Sequence, residues 1–164
     1  MFRAIKLWFT DRKYYHQRKR YMKLQKAYRN EMKKQVNEFC PWSGYYMHKM
    51  IVTMLEFYYK TYAAKDCCWS ESAWTGKIET SLKEALDLAA EIDKIDDLEP
   101  KELIELAQKD GEAFSEYVKQ YEAKVCYLMD SEALLSGVAE HYLEHKYTTA
   151  LYNHIGNNIW GWLD

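Results

Sequence analysis

"YYMHKMIVTMLEFYYKTY", Tyr45 to Tyr62, is the stretch on which the fold turns. Met47, Met50, Ile51, Met54, Leu55, Tyr58 and Tyr62 recur at three, four and seven residues, so a helix gathers them on one broad apolar face. A helix with that much apolar surface must be central to a core. On its N-terminal side Pro41 in "CPW" cannot continue a preceding helix, and Ser43 suits an N-cap.

Working outward, residues 11 to 37 repeat the helical spacing with Tyr14, Tyr21, Leu24, Tyr28, Met32 and Val36 on one face and almost only bases elsewhere. Beyond a short loop with Cys67 and Cys68, Ser70 or Ser72 can cap a third helix with Ile78, Leu82, Ala85, Ala89 and Ile92 inward. Its outer side is acidic: residues 79 to 99 hold eight acids against two lysines. Pro100 and Gly111 bracket a short fourth helix, since proline suits a first turn and glycine a stop. A fifth runs from Glu112 to about Met129 on Phe114, Tyr117, Val118, Tyr121, Val125 and Leu128. Ser131 can cap a last helix from Glu132 to about Trp160, continuous or kinked near Gly137. No segment alternates as a strand. The prediction is an all-α, single-domain bundle of five to six helices, with a basic N-terminal helical segment (1–38) and a helical core (42–164).

Composition agrees. Six glycines and two prolines in 164 residues leave few turns, while 48% apolar residues, with fifteen tyrosines and six tryptophans, supply a core without staples. Cys40, Cys67, Cys68 and Cys126 show no C-x-x-C spacing and read as structural thiols in a reducing compartment. No run of 18 apolar residues is present to span a membrane. "MFRAIKLWFT" lacks the long apolar region and small-residue cleavage site of a signal peptide.

The formal net charge of −2 hides an asymmetry. Residues 1 to 37 carry 12 Lys/Arg and two acids, net +10, and the remainder carries 11 and 23, net −12. The basic helix can lie on the acidic face of its own chain, meet that face on another copy, or bind an external anion. Homo-oligomerisation is therefore expected. Arginines interleaved with tyrosines also suit a nucleic acid, by counterion release and base stacking, although no helix-turn-helix, finger or RNA-binding signature accompanies them. A cationic amphipathic segment suits an anionic membrane surface as well.

Catalytic motifs are scarce. "HYLEH" matches H-x-x-E-H, in which His141 and His145 would hold zinc and Glu144 would activate water, but the third ligand is expected on a well-separated downstream helix, and the candidates that follow, His154 and Asp164, lack that context. That zinc-hydrolase reading is disfavoured, and two histidines on a helix edge is preferred. No E-x-x-H pair for a di-iron bundle, phosphate loop, nucleophile elbow or nucleophile with a base is present. No cofactor is expected, and a binding protein is favoured over an enzyme.

Three segments carry a resemblance: "WSGYYMHKMIVTMLEFYYKTY" from Trp42, "KIETSLKEALDLAAEI" from Lys77 and "LYNHIGNNIWGWLD" from Leu151. Together, through Trp42, Tyr46, Met54, Trp162 and Asp164, they resemble an uncharacterised family of small helical bacteriophage proteins. The pattern departs at Ser43, at Leu163 and in the longer acidic middle. The resemblance implies a phage protein in the bacterial host cytoplasm that binds a host defence protein or sequesters a signalling nucleotide. A pocket for such an anionic nucleotide would draw on Arg18, Arg20, Tyr21, Tyr45, Tyr46 and His48. The alternative is a nucleic-acid-binding phage accessory protein.

Overall fold

A computed structural model describes residues 2–38, 44–63, 73–125 and 132–163. The protein is all-α. Six helices run in the order α1 (Phe2–Asn37), α2 (Gly44–Ala63), α3 (Ala73–Ile95), α4 (Pro100–Gln108), α5 (Glu112–Val125) and α6 (Glu132–Leu163), and the described residues hold no strand. α1 starts nine residues before the expected Asp11, because "FRAIKLWFT" holds neither glycine nor proline to stop it. α6 passes Gly137 without a break. The four cysteines and the expected caps Ser43, Ser70, Ser72 and Ser131 lie outside the described residues.

The chain divides into two compact units, Met1–Leu86 with Asn158–Asp164, and Asp87–Asn157. In the first, α1 and α2 form an antiparallel hairpin. Gln35 Nε2 donates to Thr53 Oγ1 at 2.8 Å, Tyr28 donates to Glu56 at 3.0 Å, and the Tyr21 ring lies 6.2 Å from Phe57, so numbers fall on α1 as they rise on α2. Leu55, Leu82, Ala85 and Trp162 are buried in this unit, and Trp162 Nε1 donates to Ser81 Oγ at 3.3 Å.

Two expectations about the hairpin are corrected. Tyr14 and Val36 were placed on the inner stripe of α1, yet both are 55% exposed, and Gln35 is buried instead. The pitch accounts for Val36: at about 100° per residue, position 35 returns to within about 20° of Tyr28, whereas 36 overshoots by about 80°. Length accounts for Tyr14. α1 has 36 residues and α2 has 20, so α1 outruns its partner by sixteen, about 24 Å of helix. On α2, Met47 and Met54 are half exposed, while Thr53 and Thr61 are buried. Those threonines tolerate burial because each hydroxyl donates to the carbonyl four residues back, Lys49 at 2.9 Å and Phe57 at 2.7 Å.

The second unit is built on Ile95, Leu103, Ala107, Phe114, Val138, Ala139 and Leu143, contributed by α3, α4, α5 and α6. The predicted inner stripe of α3 stands, with Leu82, Ala85 and Ala89 closed from solvent, and Ile95 extends it by one turn. Pro100 opens α4, and the Glu99 amide donates to the Glu102 carboxylate at 3.0 Å, occupying a donor that the helix start leaves bare. Gly111, at φ +55°, turns the chain into α5 in the left-handed region where a side chain is strained.

Candidate binding surface

α1 carries the most one-sided charge of the molecule. All ten lysines and arginines from Arg12 to Lys34 are exposed, with Glu31 the single acid among them. They stand outside because the helix has one apolar seam, and Tyr21, Leu24, Tyr28, Met32 and Gln35 fill it against α2. Tyr14 and Tyr15, 55% and 62% exposed, lie on the part of α1 that extends past its partner.

The seam is fixed by a polar clasp. Lys60 Nζ donates to the Tyr28 hydroxyl at 2.6 Å, Tyr28 donates to Glu56, and Lys60 reaches the same carboxylate at 3.4 Å. Partial burial, first, raises the phenol of Tyr28 above its ordinary range, and the bond to Tyr28, first, raises the ammonium of Lys60. Lys60 therefore stays cationic and Tyr28 neutral at physiological pH, which keeps the clasp closed.

Beside the clasp an open groove of about 330 Å³ is lined by Gln25, Tyr28, Arg29 and Met32 of α1 and by Thr53, Met54, Phe57 and Tyr58 of α2. Its rings are held: Tyr28 and Phe57 have centroids 5.5 Å apart, and Phe57 meets Tyr58 edge-on at 5.7 Å. Met54 is 46% exposed at the groove, with Met22, Val36 and Met47 exposed on the same hairpin. Six of the nine large hydrophobic side chains exposed among the described residues belong to α1 and α2.

Of the six residues expected to form a nucleotide pocket, four have described side chains, and they lie at separate points along the hairpin. Arg18 and Arg20 are exposed, and Tyr21 is half-buried against Phe57. His48 is half-buried in the second turn of α2, nine residues before Phe57, toward the end of the hairpin opposite Arg18. Tyr45 and Tyr46 belong to the first turn of α2, and their side chains lie outside the described residues. The groove lies between the two groups and uses none of the six.

No family model matches this chain, and no curated protein or solved structure matches it either. Function must be read from its own surfaces.

The H-x-x-E-H residues share α6, with both histidines against Tyr117 and the glutamate beside other carboxylates. His141 Nδ1 is 2.5 Å from the Tyr117 hydroxyl, and His145 approaches the same ring with centroids 6.4 Å apart. Glu144 joins Glu140 and Asp96, the one set of three among the described residues whose ligand atoms lie close enough, within 4.8 Å of one another, to hold a metal ion. Partial burial, first, raises the Glu144 carboxyl above its ordinary range, Glu140 and Asp96 raise it further, and His141 opposes them. Oxygen ligands of this kind suit a hard divalent cation, yet three surface carboxylates commonly stand together without one. No described helix is long and apolar enough to cross a membrane.

Proposed function

We propose that the protein is a non-enzymatic binding protein whose working surface is the groove between α1 and α2, and that it acts by occupying another protein. The observation that carries this reading is the open apolar groove with half-exposed Met54 on its wall, flanked by further exposed apolar side chains of the same hairpin. A phage origin, a host cytoplasm and action against host defence are what the family resemblance implies. They belong to the proposal, and the groove supports the binding alone.

The test is co-purification. Tagged full-length chain is recovered from bacterial cells as wild type and as Met54→Glu, which sets a charge on the groove wall. A partner recovered in near-equal amount with the wild type is expected to disappear from the variant, while far-UV circular dichroism stays unchanged. Recovery of the same proteins with both would sink the reading.

A second reading rests on a separate observation. The ten exposed cations of α1, with Tyr14 and Tyr15 beyond the reach of α2, offer charge and stacking surface to a single-stranded nucleic acid. That surface lies mainly outside the groove, so the two readings separate by mutation.

A further inference from the structure

We infer that the α1·α2 groove is shaped for an amphipathic helix with acidic flanks, supplied by a partner protein; this deepens the protein-binding reading above and rests on it.

Dimensions come first. The α1 wall runs from Gln25 to Met32, seven residues and about 10.5 Å of helix, which is also the axial distance between residues i and i+7 of a docking helix. A volume of about 330 Å³ is at the small end for a ligand site, and the groove is open to solvent. It admits a row of side chains and leaves the body of their helix outside. Two methionines of its lining, Met32 and Met54, adapt to the shape of inserted leucines or phenylalanines.

Charge then selects the partner. Arg29 lines the groove, and Lys26 and Lys33 stand three and four residues from it on the same side of α1, both exposed. The acid next to the groove, Glu56, is already held by Tyr28 and Lys60. An incoming helix with glutamates or aspartates beside its apolar stripe meets this rim with complementary charge, whereas a second copy of the same hairpin brings Lys26, Arg29 and Lys33 against themselves. A nucleobase fits less well. Thr53 already donates to Lys49 and accepts from Gln35, and the Tyr28 hydroxyl is held in the clasp, so few polar groups on the lining are placed to read a base edge, and Phe57 is tilted 58° to Tyr28 rather than open as a flat platform.

The experiment uses the full chain and three labelled synthetic helices of about five turns. All carry leucines at i, i+3, i+4 and i+7, and their flanks are glutamate, glutamine or lysine. In fluorescence polarisation the glutamate-flanked peptide is expected to bind at least about tenfold more tightly than the lysine-flanked one, with the preference shrinking as salt rises. Met54→Glu should abolish binding of all three. The combined variant Lys26→Glu, Arg29→Glu, Lys33→Glu should reverse the preference, and circular dichroism confirms that each variant keeps its helices. Equal affinity for all three peptides overturns the acidic partner and leaves the groove as a protein site. If no peptide binds, helix docking is overturned, and continued loss of the co-purified partner in Met54→Glu would show that the broader reading survives. Self-association of the chain that Met54→Glu abolishes would assign the groove to a second copy and overturn the inference as well.

Discussion

Asp110, at the turn between α4 and α5, shows how one side chain ties the second unit together. Its Oδ2 accepts from Lys146 of α6 at 2.5 Å and from the Tyr142 hydroxyl at 3.0 Å. The Lys146 ammonium, first, holds the Asp110 carboxyl below its ordinary value of 3.8; partial burial pushes the other way, and the Tyr142 hydroxyl adds to the lowering. A depressed carboxylate contributes stability above its unfolded value and loses it as pH falls through the folded one. Asp110→Asn is therefore expected to lower stability at pH 7 by no more than about 1 kcal/mol, since the pair is largely solvent-screened. The gap to wild type should begin to narrow as pH falls toward about 4 and go on narrowing below it in urea titrations run across pH. A gap that does not narrow at all as pH falls below the ordinary carboxylate range would assign the contribution to packing. None of this could be read from the chain in advance, because Asp110 and Lys146 are 36 positions apart and neither has a motif.

At the scale of elements, the hairpin contains an inconsistency that mutation can remove. Gln35 is buried, its amide donates to Thr53, and its Oε1 has no partner among the described residues. A buried acceptor without a donor carries its full desolvation cost. Gln35→Met keeps the volume and deletes that acceptor, and the Thr53 hydroxyl still donates to Lys49. The variant should gain about 1 kcal/mol in urea midpoint stability; a loss would show that Oε1 is satisfied in solution. The helices themselves were largely legible: the α3 stripe, Pro100 at the head of α4 and Gly111 past its end follow from period and turn chemistry. What was not legible was which apolar positions meet a partner. Met54 and Leu55 look alike in the sequence, but Leu55 is buried and Met54 opens onto the groove.

At the scale of the whole molecule, the even net charge is an average over a cationic α1 and an acidic remainder. Exposed cations at that density attract any anionic strand at low salt, which by itself is no function. Labelled oligo(dT) is therefore expected to bind at about 50 mM salt and to lose most of that affinity by about 200 mM, as counterion release requires. Under the protein-binding reading this attraction should be indifferent to Tyr14→Ala and Tyr15→Ala. Binding that survives at the higher salt and falls about tenfold or more with those substitutions would show base stacking, and would favour the nucleic-acid reading.

By itself the sequence determined that the protein is helical, where most of its helices begin and end, and that its charge is split between the leading helix and the rest. These properties depend on period, capping chemistry and composition, all of which act over one or two turns. Only the tertiary structure decided which faces close and which stay open. That outcome depends on helix lengths and on registers between residues far apart in the chain: α1 outruns α2, Gln35 rather than Val36 turns inward, and Met54 is left at a groove. Burial is a property of pairs of surfaces, and no single segment contains its partner.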